Sequence, residues 1–169
     1  STVKAIRRQS PSTTLETLIP DFAGNWKNLQ NIINVAPEIV SHNIETVRRL
    51  TKTIRVQAKY NRSLELLLRL KQGEMKTKSG LMLGLGETHE EVLETLEDLR
   101  SVNVDIVTLG QYLRPTLNHH PVARWVTPDE FEMYRVEGLK YGFLEVVSGP
   151  MVRSSYRAER ALELNNAGL

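Results

Sequence analysis

The sequence predicts an α/β fold in which strands and helices alternate along the chain. Short apolar stretches alternate with amphipathic ones, glycine and proline mark the turns, and two segments begin with threonine caps typical of helices. A strand–helix–strand–helix order favours a parallel sheet with right-handed crossovers. An open sheet and a barrel segment both fit this order, although five predicted strands are too few to close an eight-stranded barrel.

Composition limits the kind of protein. With 169 residues the chain is long enough for one domain with a sizeable core. A formal net charge of +2 is too small to argue for a nucleic-acid or anionic-membrane partner, and no apolar run approaches the length of a membrane span. The absence of cysteine excludes disulfides and thiolate metal sites on this chain. We expect a cytoplasmic protein.

The first half of the chain contains two predicted strands and three predicted helices. Prolines flank the β-branched and apolar runs that predict strands, and apolar residues at helical spacing predict the helices. The first eight residues are interpreted as the end of a helix or a frayed terminus. In chain order the predictions are strand 13–19, helix 26–33, strand 38–43, helix 45–54 and helix 63–71, the last ended by Gly73.

A third predicted strand, residues 77–85, leads directly into a helix. Gly80, Gly84 and Gly86 interrupt its apolar run, and glycine weakens a strand, so a ligand or another backbone is expected to approach closely here. Thr88 and Glu91 have the spacing of a capping box, which starts the helix. Ligands of such folds bind at the carboxyl ends of the strands, where this turn lies.

The second half repeats the pattern. Strand 105–113 is followed by a loop, a helix with Thr127 as its cap and Gly142 as its end, strand 143–147 ending at residues 148–150, and a short helix over 158–164. The loop contains the pair His119–His120. That pair is a candidate metal or acid–base site, but no nearby carboxylate orients either ring, which favours an exposed loop.

Polar residues gather at the ends of the predicted strands. In a parallel sheet these ends share one edge, so the side chains are candidates for lining one pocket. The alternative is that each of them caps a neighbouring helix or binds a loop amide, and this structural role is favoured for any single residue. Ser154 and Ser155, near the carboxyl terminus, are candidates for an anion site or hydroxyl ligands, or belong to a solvated tail. The strand-end residues are Asp21, Asn43, Glu45, Glu87, Gln111, Tyr112 and Ser148.

Several motifs resemble those of lipoyl synthase. The segment His42-Asn43-x-Glu45-Thr46 and the segment Arg153-Ser154-Ser155-Tyr156 are specific to that family. The looser pattern Gly80-x-Met82-x-Gly84-x-x-Glu87 is similar to one found widely among radical S-adenosylmethionine enzymes. Together with residues 18–22 and 108–113 these motifs follow the family's order and cover nearly the whole chain.

The resemblance implies a fold, a reaction and partners. The fold is the C-terminal part of a partial (βα)6 barrel, with residues 148–169 as an extension, and the reaction inserts two sulfur atoms into an octanoyl chain on a lysine of a lipoyl carrier domain. The implied cofactors are two 4Fe–4S clusters and S-adenosylmethionine: one cluster generates the hydrogen-abstracting radical and the other donates sulfur. The family's two cysteine triads precede the residues seen here, so this chain is expected to be inactive alone and to need the missing N-terminal half as a partner.

The resemblance also assigns residues. Asn43 and Glu45 are expected to contact the ribose or methionine part of S-adenosylmethionine, and the glycines to let adenine lie against bare backbone. Ser155, or else Ser154, is the expected non-cysteine ligand of the sulfur-donating cluster. The alternative function is a non-catalytic module that binds S-adenosylmethionine or a lipoyl carrier domain. The expected cofactor-binding residues are Asn43, Glu45, Gly80, Gly84, Glu87, Gln111 and Tyr112.

Overall fold

The computed structural model describes residues 2–155. Strands and helices alternate through most of this range, as the sequence predicts. The predicted helix over 158–164 lies outside the described residues. The strands are β1 (Glu16–Leu18), β2 (Ile39–Ser41), β3 (Thr77–Leu83), β4 (Ile106–Gln111) and β5 (Glu145–Gly149). The helices are α1 (Thr2–Gln9), α2 (Trp26–Val35), α3 (Arg48–Ile54), α4 (Tyr60–Gln72), α5 (His89–Ser101) and α6 (Pro128–Tyr141).

The strands form one parallel sheet in the order β1-β2-β3-β4-β5. Each strand therefore pairs with the next strand along the chain, and helices make the return connections. The predicted α/β fold of parallel βα repeats is confirmed. Because every strand runs in the same direction, all five carboxyl ends lie along one edge of the sheet, which is where the predicted site residues converge.

The core lies between the sheet and its helices. Leu81 and Leu109, on the helix-facing side of β3 and β4, belong to a buried cluster with Leu96 of α5 and with Phe131 and Tyr134 of α6. A smaller cluster joins β1 and β2 to α2 and α4. Burial of these side chains is the main favourable term that holds the helices on the sheet. The members of the smaller cluster are Ile19, Leu29, Val40, Leu66 and Leu70.

Local capping signals fix the helix boundaries that the sequence predicts best. Thr88 and Glu91 form the predicted capping box of α5, and Thr127 and Glu130 form a second one at α6. Gly142 ends α6 with φ +92°, a left-handed conformation that glycine adopts at little cost. Both helices therefore begin where the sequence places them, and α6 also ends there.

Several boundaries differ from the predictions. Strand β1 covers only Glu16–Leu18 of the predicted 13–19, and β3 ends at Leu83 rather than at residue 85. Helix α3 begins at Arg48 rather than at residue 45, because Glu45 has φ +70° and pairs with Leu81 of β3. Helix α4 begins at Tyr60, earlier than residue 63. Strand β5 continues to Gly149, beyond the predicted break at residue 148, since it pairs with β4 up to that point.

In residues 2–155 no helix is both long and apolar enough to cross a membrane.

Candidate functional site

An open cavity of about 200 Å³ lies at the carboxyl ends of β2, β3 and β4. It brings together five of the residues singled out from the sequence: Asn43, Glu45, Gly80, Gln111 and Ser154. They come from three strand ends and from the segment after β5, so the parallel sheet places side chains far apart in sequence around one space. The remaining lining residues are Leu81, Met82, Thr108, Gly110, Leu113, Val152 and Arg153.

Asn43 has an unsatisfied acceptor at this cavity. Its Nδ2 donates to Glu45 Oε1 at 3.3 Å, whereas its buried Oδ1 has no hydrogen-bond partner. An unpaired buried acceptor costs about 1–3 kcal/mol. A hydroxyl or ammonium group bound in the cavity would supply the missing donor, so Asn43 is the clearest sign of a polar ligand here.

Glu45 is held in a strained conformation beside Asn43. Its φ of +70° is left-handed, which costs a residue with a side chain about 1–2 kcal/mol. Two backbone hydrogen bonds of 2.8 Å impose it: Glu45 donates to the Gly80 carbonyl and accepts from the Met82 amide. Ser79 Oγ also accepts from the Ile44 amide at 3.1 Å. The turn directs a carboxylate to the cavity, where it can accept hydrogen bonds from a ligand.

Two glycines leave the cavity wall without side chains. A Cβ at Gly80 would lie 2.8 Å from Asn43 Oδ1 and 3.1 Å from Thr108 Oγ1, so a side chain here would displace the Asn43 amide. A Cβ at Gly110 would collide with the carbonyl oxygen of Val152. The bare backbone at Gly110 therefore lets the chain after β5 cross the end of β4, which brings Ser154 to the cavity.

Three predicted cofactor residues do not line this cavity. Glu87 is buried and its carboxylate accepts from the amides of Gly84 and Leu85 at 2.6 and 2.9 Å. Gly84, with φ +93°, lies against Gln111. The hydroxyl of the buried Tyr112 donates to the His120 carbonyl at 2.8 Å. These contacts shape the loops behind the cavity, and the cofactor-binding role of Gly84, Glu87 and Tyr112 stays a prediction.

Gln111 connects the cavity to the loop that precedes α6. Its Nε2 donates to the carbonyls of Arg124 and Tyr112 at 3.2 and 3.1 Å, and its Oε1 accepts from the Val126 amide at 2.9 Å. Both ends of the amide are thus occupied by protein groups. Gln111 therefore lines the cavity mainly as a structural residue, because its amide hydrogen-bonds chiefly with the loop that precedes α6.

A second open cavity of about 310 Å³ adjoins the first and shares Asn43 and Glu45 with it. Its other lining residues lie at or just after the end of β1, just after β2 and just after α3. Arg55 Nη1 donates to the Asn43 carbonyl at 3.1 Å, which fixes the turn between the two cavities. The additional lining residues are Leu18, Ile19, Pro20, His42 and Arg55.

His42 is a buried support of the second cavity. Nδ1 lies 3.0 Å from the Ile19 carbonyl oxygen and Nε2 lies 2.9 Å from Ser63 Oγ. A carbonyl can only accept, so Nδ1 carries the hydrogen and Nε2 accepts from the serine hydroxyl. Burial is the largest cause that lowers the pKa of His42, and the positive charges of Arg55 and Arg62 lower it further, against opposing effects of the Ile19 carbonyl and Asp21. His42 is therefore neutral at physiological pH.

The two histidines of the loop contact different protein groups. His119 Nδ1 lies 2.9 Å from Thr116 Oγ1, and His120 Nε2 lies 3.1 Å from the Leu85 carbonyl oxygen. His119 is exposed as predicted, whereas His120 is half-buried because of this contact. Residues 2–155 contain no group of three or more histidine, aspartate or glutamate side chains suited to a metal ion.

The sequence model of the Radical SAM superfamily matches residues 2–99, more than half of the chain. The chain belongs to the radical SAM superfamily. It is similar to the mitochondrial lipoyl synthase of Nematostella vectensis, with 62% identity over 160 residues, 94% of this chain and 55% of that protein. The lipoyl synthase of Flavobacterium psychrophilum is 61% identical over the same shares. That of Bacteroides fragilis is 48% identical over 165 residues, 98% of this chain and 57% of that protein. The chain spans about half the length of these curated relatives.

Solved structures of low sequence identity share the fold of this radical SAM chain. The HMG-CoA lyase from Brucella melitensis has a TM-score of 0.55 and 12% identity, covering 86% of this chain and 51% of that one. Streptococcus suis SuiB has a TM-score of 0.51 and 7% identity, covering 83% and 39%. At these identities the likeness supports the α/β architecture only.

Radical SAM proteins bind S-adenosylmethionine and an iron–sulfur cluster, and the residues fit the two groups differently. The unpaired Asn43 acceptor, the Glu45 carboxylate and the bare Gly80 backbone suit a polar nucleoside. The chain has no cysteine, so it offers no thiolate to a cluster. Of the two serines predicted as cluster ligands, Ser154 lines the cavity and Ser155 is exposed.

Three lining residues of the cavity are not among the expected cofactor-binding residues. Met82 on β3 and Thr108 and Gly110 on β4 line the cavity, and each lies only within a motif of the resemblance. Alternation along the predicted strands was the available signal, because residues two apart on a strand face the same side. In steps of two residues, Met82 follows Gly80 on β3, and Thr108 and Gly110 follow Ile106 on β4, so all three are identified.

Proposed function

We propose that this chain forms the nucleoside-binding part of a lipoyl synthase. The proposed reaction inserts two sulfur atoms into an octanoyl chain carried on a lysine of a lipoyl carrier domain. Identity of 48–62% to lipoyl synthases over nearly the whole chain supports the choice within the radical SAM superfamily. The observation that carries the proposal is the unpaired Asn43 Oδ1 beside a cavity at the strand ends.

Three residues of the cavity have a proposed task. Asn43 Oδ1 accepts from a ribose hydroxyl or from the ammonium group, Glu45 accepts from a second donor, and Gly80 lets the purine approach the backbone. The volume of about 200 Å³ is below the usual ~300–1,000 Å³ of ligand pockets, so these residues hold the nucleoside rather than the whole cofactor. Bound S-adenosylmethionine supplies the radical that removes hydrogen from the substrate.

The clusters are proposed to depend on thiolates from outside this chain. It has no cysteine, so neither of the two proposed 4Fe–4S clusters can be bound here through sulfur. A serine hydroxyl is a poor substitute for thiolate toward iron. Ser154 is better placed than Ser155 to face a group bound at the cavity. A cytoplasmic location stays a prediction, since one relative is mitochondrial by name.

The second cavity is the proposed site of the acyl chain. Leu18, Ile19 and Pro20 give it an apolar wall, and it shares Asn43 and Glu45 with the nucleoside cavity. An acyl chain in this position would lie directly beside the bound nucleoside. Arg55, which already holds the Asn43 carbonyl, is proposed to hold the substrate's amide carbonyl as well.

Calorimetric titration with S-adenosylmethionine and with S-adenosylhomocysteine tests the cofactor site. We expect weak binding to the 169-residue chain and at least a tenfold loss in Asn43→Ala. Asn34→Ala is the matched control, because Asn34 is exposed on α2 and its side chain accepts a hydrogen bond from Gln30 of the same helix. No binding to a well-folded wild-type chain would disprove the cofactor proposal.

Reconstitution tests the proposed reaction. Co-expression with the N-terminal half of the Flavobacterium psychrophilum relative should give a brown, iron-loaded protein that converts an octanoylated carrier domain to its lipoyl form. Mass spectrometry of the carrier domain measures this conversion. A colourless, inactive mixture in which both halves are folded would count against the proposal.

A further inference from the structure

A long loop lies between β4, which ends at Gln111, and α6, which begins at Pro128. Residues 113–127, called the 113–127 loop, contain neither helix nor strand. Loops longer than about 12–15 residues without secondary structure are uncommon in compact domains and are usually functional. The loop is therefore a candidate for a role that the fold does not require.

The loop is tied to the strand ends that form the cavity. His120 Nε2 lies 3.1 Å from the Leu85 carbonyl oxygen, and the Ala123 amide donates to the Gly84 carbonyl at 2.8 Å. The Val126 amide donates to Gln111 Oε1 at 2.9 Å. Leu113, the first residue of the 113–127 loop, lines the nucleoside cavity. The loop thus has a defined shape at the rim of the proposed active site.

Large apolar side chains of this loop are directed to solvent. Leu117 is 84% exposed, Trp125 is 67% exposed and Leu113 is 46% exposed. A fixed loop loses little conformational entropy on binding, and tryptophan is the residue most enriched at the energetic centres of protein interfaces. Exposed apolar groups beside a cavity are typical of a surface that binds a partner.

The charges of the loop indicate what that partner is like. Residues 113–127 include two arginines and two histidines but no aspartate or glutamate. The Arg114 guanidinium donates to carbonyls of His119 and Leu117 within the loop, and it forms no ion pair among residues 2–155. Arg124 is paired with Glu130 at 2.7 Å. A partner with an acidic surface around an apolar contact would complement this face.

We propose that the 113–127 loop docks the acidic face of the carrier domain that presents the acylated lysine. This inference rests on the proposed function, because that reaction brings a carrier domain to the cavity. The loop begins at the cavity rim, so a domain seated on it can extend its lysine arm into the site. Leu117 and Trp125 provide the apolar contact, and Arg114 faces the partner's carboxylates.

Affinity of the 169-residue chain for a folded, octanoylated lipoyl carrier domain tests the docking surface. Trp125→Ser and Leu117→Ser should each weaken binding by about tenfold or more at low salt. Arg114→Gln should weaken binding and reduce its dependence on salt, since exposed charges are screened. Val56→Ser is the matched control, because Val56 is 87% exposed but lies between α3 and α4. It should bind as the wild-type chain does.

Two further measurements separate this inference from the cofactor proposal. Trp125→Ser should keep the wild-type affinity for S-adenosylmethionine. Asn43→Ala should keep the wild-type affinity for a carrier domain without the octanoyl group, because no acyl chain then enters the second cavity that Asn43 lines. Circular dichroism checks that each variant is folded. The inference is overturned if the wild-type chain does not bind the carrier domain, or if Val56→Ser loses as much affinity as Trp125→Ser. It is also overturned if the loop variants bind the carrier domain as the wild-type chain does and are impaired only in assembly with an N-terminal half.

Discussion

Two residues at the cavity are in conformations or contacts that the rest of the fold enforces. Glu45 is left-handed because its amide and carbonyl both pair with β3. Gly110 has no side chain because the Val152 carbonyl oxygen occupies the space of a Cβ. Strain and close approach of this kind cluster at ligand sites. Each therefore leads to a substitution whose effect on stability differs from its effect on binding.

Replacing Glu45 separates strain from function. Glycine tolerates φ +70° and alanine does not, so Glu45→Gly should be more stable than Glu45→Ala by about 1 kcal/mol. Both variants lose the carboxylate, and both should bind S-adenosylmethionine several-fold more weakly. Urea unfolding and calorimetry measure the two effects. Equal stability of the two variants would show that the turn relaxes to another conformation in solution.

Replacing Gly110 should displace the segment after β5. Gly110→Ala brings a methyl group against the Val152 carbonyl, which should destabilise the fold by about 1–3 kcal/mol and expose residues 150–155 to hydrogen exchange. Gly149→Ala is the matched control, because its Cβ would meet Val152 Cγ2 at an ordinary 3.5 Å. Equal exchange of the segment in both variants would contradict the close contact.

Sequence reasoning found part of the site at this scale. Asn43, Glu45, Gly80 and Gln111 were found because polar or small residues at parallel strand ends share one edge. The φ of Glu45 was not predictable, since it depends on pairing with a strand far along the chain. Glu87 does not line the cavity, because its carboxylate accepts from backbone amides of its own turn, and its cofactor-binding role stays a prediction.

The helices and strands divide into those with local signals and those without. Helices α5 and α6 were predicted closely because their capping boxes are encoded within four residues. Helix α3 was predicted too early because the turn before it is fixed by β3 and by Arg55. The contact of His42 with Ile19 and Ser63, which joins the end of β1 to α4, was also beyond sequence reasoning.

The contacts of His42 with Ile19 and Ser63 should make the free energy of unfolding depend on pH. The pKa of His42 is lowered in the folded protein, so below about pH 6.5 the unfolded chain binds a proton that the folded chain excludes. Stability that is present above pH 6.5 should therefore be lost as pH falls toward the folded pKa. Denaturant unfolding at pH 7.5 and pH 5.5 measures this, with the exposed His119→Gln as control. His42→Gln should be less stable at pH 7.5 and should lose less stability on acidification. If the free energy of unfolding of His42→Gln falls as much between pH 7.5 and pH 5.5 as that of the wild-type chain, another group causes the effect.

At the scale of the whole molecule the sheet ends in a short, open strand. Within residues 2–155, β1 pairs with β2 on one side only, and Leu18 on it is 61% exposed. The parallel order of the sheet followed from the sequence pattern. Whether the sheet curves into part of a barrel did not, because closure depends on strand tilt and stagger, which periodicity does not encode.

The open edge should cause self-association. Unpaired strand edges with apolar side chains template pairing between chains, so the 169-residue chain should show concentration-dependent oligomers in sedimentation velocity. Leu18→Lys should reduce the oligomeric fraction, since a charge on an edge strand opposes pairing. Leu144→Lys, at a 48% exposed position just before β5, is a comparison on the opposite edge of the sheet. A single monomeric species with a sharp thermal transition would contradict the prediction.

The side-chain amide of Gln111 connects the cavity to the backbone on both sides of Trp125. It forms part of the nucleoside cavity on one side, and it holds the backbone of Arg124 and Val126 on either side of Trp125. A carrier domain that shifts the backbone at Trp125 would therefore also shift the amide that forms part of the cavity wall. Any such coupling would be reciprocal, so the carrier domain and the cofactor would change each other's affinity by the same factor.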